Sequence, residues 1–108
     1  MAYETRAGPD AALSALADPT RRGLIEQLRS GPAPVAALAA GLPISRPAVS
    51  QHLKVLNDAG LVVAEAKGAR RYYRLAPEGA APLLAWLDAM WDDALSSFQT
   101  LAEQEAAR

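Results

Sequence analysis

Short hydrogen-bonding and cationic side chains cluster near the start of a predicted helix within Ile44–Leu61. Ser45 is suited to cap this helix, and a proline in its first turn costs little, because the N–H it lacks would be unpaired there. Apolar residues at helical spacing predict one core-facing stripe, formed by Val49, Leu53 and Leu56. The opposite side carries Arg46 at the tip, then Pro47, Ser50, Gln51 and Lys54. Amides, hydroxyls and cations at a helix N-terminus are suited to base edges and phosphates, so the segment predicts a helix that reads DNA. An ordinary amphipathic surface helix is the alternative.

A basic hairpin is predicted directly after this helix. Val62–Ala66 and Arg70–Leu75 are strand-like runs, and Lys67-Gly68-Ala69 between them suits a tight turn with glycine at a positive φ. Tyr73 and Leu75 share one strand face and are expected to cover the core. The hairpin cations expected to reach phosphates or a minor groove are Lys67, Arg70 and Arg71. A basic hairpin after a recognition-type helix is typical of a winged helix-turn-helix, whereas a solvated charged hairpin is the alternative.

The elements before this helix complete the predicted helix-turn-helix. We expect a first helix over Ala11–Ala17, capped by Asp10, with Leu13 and Leu16 facing inward. The Asp18-Pro19 pair marks a second helix start, because a capping carboxylate precedes a proline at the first helical position. A short helix from Pro34 through Ala40 and a turn over 41–44 then lead into the recognition helix.

A long apolar helix is predicted at the end of the chain, from about Pro82 to Glu105. Such a helix would be about 36 Å long, more than a domain of this size covers by itself. Its large apolar residues step by threes and fours, close to a heptad seam. With Leu13 and Leu16 of the first helix, the predicted dimer interface comprises Leu84, Leu87, Trp91, Leu95, Phe98 and Leu101. A helix that packs only on its own domain is the alternative.

Charge is divided unevenly along a chain whose net charge is only −1. Residues 44–76 hold six cations against two carboxylates, whereas residues 77–108 hold one cation against six carboxylates. The positive charge therefore lies on the predicted helix and hairpin, and the acidic last helix is expected to face away from DNA.

Length and composition predict one domain over 1–108, with the helix-turn-helix and wing over 11–76 and a dimerisation helix over 80–105. The 108 residues include no cysteine, so neither a disulfide framework nor a thiolate metal site is available. The longest uncharged run, Ser30–Ser45, is interrupted by prolines and glycines and is not expected to span a bilayer. The N-terminus has no apolar signal-peptide core, so we expect a cytoplasmic protein without a membrane partner.

Three segments together resemble the ArsR family of bacterial winged-helix repressors: Ala15–Leu28, Pro47–Val62 and Gly68–Leu75. The resemblance covers about residues 11–102. It implies a mainly α fold with a small β-hairpin, in the order α-α-α-α-β-β-α, and a homodimer through the first and last helices. It also implies a repressor that leaves its operator when an effector binds. Carried over by position, it assigns DNA contact to Ser45, Arg46, Ala48, Ser50, Gln51, His52, Lys54, Arg70 and Arg71.

The chain departs from the metal-sensing members of this family. Those members bind metal through cysteines on the short helix or through Asp, His and Glu sets on the last helix. Here the short helix reads PVAALAA and the last helix contains no histidine. Carboxylates alone do not form the nitrogen and sulfur sets that zinc, nickel or copper prefer. We therefore expect no metal site and no cofactor, and a member of the non-metal-sensing type.

An enzyme is not expected from this inventory of residues. The sequence offers no cysteine nucleophile, no histidine beside a convincing serine–acid pair, and no glycine-rich phosphate loop. The adjacent Asp92 and Asp93 point about 100° apart on a helix and do not converge.

The predicted function is sequence-specific binding of double-stranded DNA by a dimeric repressor on an imperfect palindrome. Gln51 is the candidate for pairing with adenine and Arg46 for pairing with guanine, whereas Ser45, Ser50 and Lys54 are expected on phosphates. Two alternatives stay open. The scaffold could serve dimerisation and protein contacts without DNA. A repressor could also be gated by an apolar small-molecule effector near Trp86, Met90 and Trp91.

Overall fold

A computed structural model describes residues 9–107 of the chain. Five helices and three strands follow one another as α1 (Pro9–Leu16), α2 (Pro19–Leu28), β1 (Ala33–Pro34), α3 (Val35–Ala40), α4 (Arg46–Asp58), β2 (Val62–Lys67), β3 (Arg70–Leu75) and α5 (Pro77–Ala106). The order agrees with the predicted one except for β1.

The recognition helix α4 is specified at both ends by local hydrogen bonds. At its start the Ser45 Oγ accepts from the Ala48 N–H at 3.2 Å. At its end Gly60 has a φ of +81°. The Leu61 N–H donates to the Leu56 carbonyl at 2.9 Å, and the Gly60 N–H donates to the Asn57 carbonyl at 2.9 Å. This pair of bonds is a Schellman motif, which fixes where the helix stops and turns Leu61 back into the core.

The predicted hairpin is present and gains a third strand. β2 and β3 pair antiparallel from Val62 opposite Leu75 to Lys67 opposite Arg70. Their two-residue turn has its positive φ, +64°, at Gly68 only, which is the pattern of a type II′ turn. The two-residue β1 pairs with the other side of β3, so the sheet order is β1-β3-β2. β1 was not predicted from the sequence, because two residues, one of them a proline, carry no alternating pattern.

One apolar core lies between the helices and the inner face of the hairpin. It is formed by residues from every helix and both long strands, and its fully buried large side chains are Leu24, Leu38, Val49, Leu53, Leu56 and Val62. Val49, Leu53 and Leu56 are the predicted apolar stripe of α4. The apolar face of α4 therefore packs on the core, and its polar face is exposed at the surface.

The first helix differs from its prediction. It begins at Pro9, and Asp10 lies in its first turn, so Asp10 is not a cap placed before Ala11. Ala12 and Ala15 are the buried residues of this helix, whereas Leu13 is 41% exposed. The prediction that Leu13 faces inward is wrong. Two small alanines allow α1 to lie close to its neighbours, and they turn the larger leucine outward.

The last helix begins five residues before the predicted start. Pro77 occupies its first turn, and Pro82 lies inside the helix and does not open it. At 30 residues the helix is about 45 Å long. Its first part packs on the core through Leu83, whereas every residue from Asp88 to Ala107 is exposed. The described residues consequently span 67 Å along their longest dimension.

Candidate nucleic-acid interface

The polar side of α4 is available at the surface as predicted. Ser45, Arg46, Pro47, Ser50, Gln51 and Lys54 are exposed, and Ala48 and His52 are half-buried. The Ser45 hydroxyl is already engaged as the N-cap acceptor, so the group it still offers is its hydroxyl proton.

A groove separates α4 from the hairpin. Its helix wall includes Ser50, Gln51 and Lys54, and its hairpin wall includes Arg71 and Tyr73. Asn57 and Asp58 of α4 also line it. The groove, of about 420 Å³, brings together an amide, a hydroxyl and two cations that are up to 21 positions apart in sequence.

The hairpin presents its predicted cations on two faces. Arg71 lies on the inner face with Tyr73, towards the groove, whereas Arg70 lies on the outer face with Tyr72. The Lys67 ammonium lies 5.8 Å from the centre of the Tyr72 ring. Such a contact holds the flexible lysine stem near the hairpin tip but leaves its charge uncompensated.

Ion pairs divide the basic segment into available and neutralised cations. The Arg74 guanidinium lies 3.3 Å from Glu65 and 3.8 Å from Glu78. Lys54 pairs with Asp58 at 3.1 Å, but both side chains are about two-thirds exposed, so a phosphate can replace this partner at little cost. Within residues 9–107, the cations of this segment without a carboxylate partner are Arg46, Lys67, Arg70 and Arg71. All four belong to the predicted contact set.

Arg21 contacts α4 beside this surface and was not predicted from the sequence. Its guanidinium lies 3.3 Å from His52 Nδ1 on α4, although 31 positions separate the two residues. A charged residue in the first turn of α2 carries no signal for this contact, because only the packing of α2 on α4 brings the two together.

The start of α2 is held by the Asp18 carboxylate. Its Oδ1 accepts from the Thr20 N–H at 2.7 Å and from the Arg21 N–H at 3.2 Å. The Arg21 N–H is the largest cause that lowers the pKa of Asp18 below its ordinary value of 3.8, and the nearby Arg21 guanidinium acts in the same direction. Asp18 is therefore a charged cap at neutral pH, as expected from the Asp-Pro pair.

The predicted dimer residues form two groups. Leu13, Leu84, Trp91, Leu95, Phe98 and Leu101 are between 41% and 68% exposed. Leu16 and Leu87 are instead partly buried against the chain's own core, so only part of each side chain remains for a partner. The exposed group continues along α5 past the point where this helix leaves its own domain.

An apolar cavity of about 390 Å³ lies at the base of α5, between α1, α2 and the end of β3. Its lining includes Leu16, Ile25, Leu61, Leu75 and Leu83. The residues predicted to surround an apolar ligand, Trp86, Met90 and Trp91, do not line it. They lie farther along α5 and are 41% to 58% exposed.

Residues 9–107 offer neither a metal-binding cluster nor a membrane-spanning helix. No three His, Cys, Asp or Glu side chains in that range converge into a group that could hold a metal ion. None of the helices within it combines the length and the apolarity needed to cross a membrane.

Comparisons with known proteins agree with this geometry. Residues 16–64, from the end of α1 to the first half of the hairpin, match a family described as a helix-turn-helix domain. The HTH-type transcriptional regulator Rv2034 of Mycobacterium tuberculosis is 50% identical over 101 residues, which cover 94% of this chain and 94% of that protein.

Solved structures show the same fold. A crystal structure of an ArsR family transcriptional regulator is 31% identical with a TM-score of 0.72, and the match covers 81% of this chain and 90% of that one. A solution structure from Mycobacterium bovis is described as a homodimeric winged helix-turn-helix DNA-binding domain. It is 32% identical with a TM-score of 0.63, and the match covers 78% of each chain.

Proposed function

Because this chain belongs to the ArsR family of DNA-binding transcriptional regulators, we propose that it represses transcription as a homodimer bound to an imperfect palindrome. The observation that carries the proposal is the groove between α4 and the hairpin, lined by Lys54 and Arg71, together with the unpaired cations that α4 and the hairpin carry outside it. A polar helix face flanked by uncompensated positive charge matches a major groove bordered by phosphates.

The role proposed for each residue in DNA binding follows from the chemistry of its side chain. Gln51 is exposed on α4 and can pair with adenine through both ends of its amide, and Arg46 at the helix tip can pair with guanine. Ser45, Pro47, Ala48, Ser50, His52 and Lys54 border these two and are proposed to follow the DNA backbone. Lys67 and Arg70 at the hairpin tip, with Arg71 in the groove, extend the contact to phosphates on the flank.

The two-fold arrangement follows from α5. A free face carrying Trp91, Leu95 and Phe98 is larger than a monomer ordinarily leaves in water. Pairing two such helices, with Leu13 of α1 beside them, would set two recognition helices about one DNA turn apart. Binding represses where the operator overlaps a promoter. We further propose that the protein works in the cytoplasm and has no enzymatic activity.

The test of the proposal is selection of binding sites from a random duplex library, followed by titration of the selected duplex at two salt concentrations. A palindromic duplex bound with sub-micromolar affinity, with a salt slope of several phosphate contacts, is the expected result. Weak, sequence-blind binding would contradict the proposal and would direct attention to protein partners.

Replacing Gln51 with alanine is expected to lower affinity for the selected duplex by about 1–3 kcal/mol and to relax base preference at one position in each half-site. The reason is the loss of a paired amide that no neighbour replaces. Repeating the selection with this variant measures the preference. Lys54→Ala serves as the control, because a lost phosphate contact weakens all sequences alike. An unchanged preference in Gln51→Ala would remove this residue from base readout.

Arg70→Ala is expected to weaken all sequences equally and to reduce the salt slope by about one. Affinities measured over a salt series report that slope. The matched control is Arg74→Ala on the same strand face, whose charge is already balanced by Glu65 and Glu78. An equal effect of both substitutions would show that overall charge matters and that Arg70 makes no contact.

The apolar cavity at the base of α5 favours a second proposal, that a small-molecule effector binds there. The cavity lies between the predicted dimer helix α5 and the end of β3, so an apolar occupant would contact both elements. We expect a hydrophobic effector to change the affinity for the selected duplex, and Leu83→Trp, which fills the cavity, to abolish that change. A panel of apolar compounds that leaves the DNA affinity unaltered would remove this part of the proposal.

A further inference from the structure

The Arg21 guanidinium joins three helices at one point. Its Nε donates to the Ala15 carbonyl at 2.7 Å, and one terminal nitrogen donates to the Ser14 carbonyl at 3.4 Å, both at the end of α1. The other terminal nitrogen lies 3.7 Å from the Asp18 carboxylate and 3.3 Å from His52 Nδ1 on α4. The Arg21 side chain is only 17% exposed, so this geometry is held from several sides.

The contact determines where the proton of His52 resides. A guanidinium has donors only and does not lose its charge in proteins. The Nδ1 atom must therefore be the acceptor, and an accepting Nδ1 carries no proton. In this contact the ring proton therefore lies on Nε2. Two charged groups lie near this ring, the Arg21 guanidinium on α2 and the Asp18 carboxylate that caps the same helix.

The Nε2 atom is left to face outward. Nε2 has no hydrogen-bond partner within residues 9–107. Every buried side-chain nitrogen in that range has a partner, so this unpartnered atom is not buried. The atom therefore reaches solvent. His52 follows Gln51 on α4 and lies on the flank towards α1 and α2, beside the surface proposed to enter the groove.

We propose that Arg21 is a positioning residue for DNA binding, which holds His52 in the Nε2–H form so that this N–H donates to a phosphate beside the major groove. The inference rests on the proposed function, because the acceptor belongs to DNA. Without Arg21 the ring would exchange between two tautomers and two orientations, and only part of the population would present a donor outward.

The first test needs no DNA. Nitrogen-15 correlation spectra of the imidazole in the free protein at neutral pH distinguish a protonated Nε2 from a protonated Nδ1. The wild-type protein is expected to show a single Nε2–H form, and Arg21→Ala a mixture of both. Arg22→Ala is the matched control, since Arg22 also donates to the end of α1, at the Leu16 and Ala17 carbonyls, and has no contact with α4 in the described structure. It is expected to leave the spectrum of His52 unchanged.

The second test measures affinity for the selected duplex. His52→Ala is expected to weaken binding about tenfold, as for one hydrogen bond to a charged group, and Arg21→Ala severalfold. The double variant is expected to bind no more weakly than His52→Ala. His52→Gln supplies an amide N–H near the position of Nε2 without a tautomer. In that background Arg21→Ala is expected to have little further effect.

The outcomes separate this inference from the proposed function. A wild-type protein that selects no DNA sequence would overturn the proposed function and the phosphate contact with it. A wild-type protein that binds its operator, but with a protonated Nδ1, would overturn the inference alone. An Arg22→Ala variant that loses as much affinity as Arg21→Ala would also overturn the inference. The loss of affinity would then come from the contact of either arginine with the end of α1, and not from His52. Circular dichroism of each variant verifies that it is folded.

Discussion

Replacing Leu95 and Phe98 together with glutamate is expected to yield a folded monomer with at least about a hundredfold weaker operator binding. Both residues lie on the part of α5 that has left its own domain, and they are 56% and 68% exposed in the single chain. The substitution therefore removes nothing from the chain's own core. In a dimer it would bury four carboxylates in an apolar seam, which costs several kcal/mol unless the helices separate.

Sedimentation or light scattering reports the mass, and titration with the selected duplex reports the affinity. Ser96→Glu is the matched control, because it adds a carboxylate on the opposite side of the same helix. The control is expected to stay dimeric and to bind the operator normally. A double variant that remains dimeric, or a wild-type protein that is already monomeric, would contradict the seam on α5.

Replacing Gly79 with alanine is expected to lower the free energy of unfolding by about 2–4 kcal/mol. A Cβ on this residue would collide with the carbonyl oxygen of Gly60, which is a backbone atom and cannot move aside as a flexible side chain would. Gly60 is the residue in the left-handed conformation that ends α4. The first turn of α5 would have to move outward, and the 2.9 Å bond from the Ala76 N–H to the Leu61 carbonyl would lengthen with it.

Urea unfolding followed by circular dichroism measures the change. Gly23→Ala is the control within the same protein, since Gly23 lies inside α2 and a Cβ there meets nothing within 4 Å. The control is expected to stabilise the protein by about 0.5–1 kcal/mol, because alanine is the better helix former. Equal stability of the Gly79→Ala protein and the wild type would show that the two helix ends are not in tight contact.

Features that depend on a few neighbouring residues were predictable from the sequence. Ser45 caps α4 and Asp18 caps α2, because a cap needs only an acceptor two or three residues before the N–H groups it satisfies. The end of α4 at Gly60, the hairpin turn at Gly68 and the buried stripe of α4 follow from equally local rules. The assignment of individual DNA contacts and dimer contacts stays a prediction.

Features that depend on distant residues required the tertiary structure. The two-residue β1 exists only because β3 offers it an edge, and Arg74 is withdrawn from the basic surface by carboxylates on β2 and α5. The outward position of Leu13 follows from how closely α1 approaches its neighbours through Ala12 and Ala15. The close approach of the first turn of α5 to the end of α4, at Gly79 and Gly60, is likewise set by packing.

The sequence by itself determined the order of the five helices and the two long strands, the polar face of α4 and the concentration of positive charge beside it. These properties depend on periodicity, capping residues and local composition, which can be read from short stretches of the chain. The tertiary structure alone decided which cations remain unpaired, where the apolar cavity lies and how Arg21 meets His52. Each of those properties is a distance between residues on different elements, and packing sets such distances.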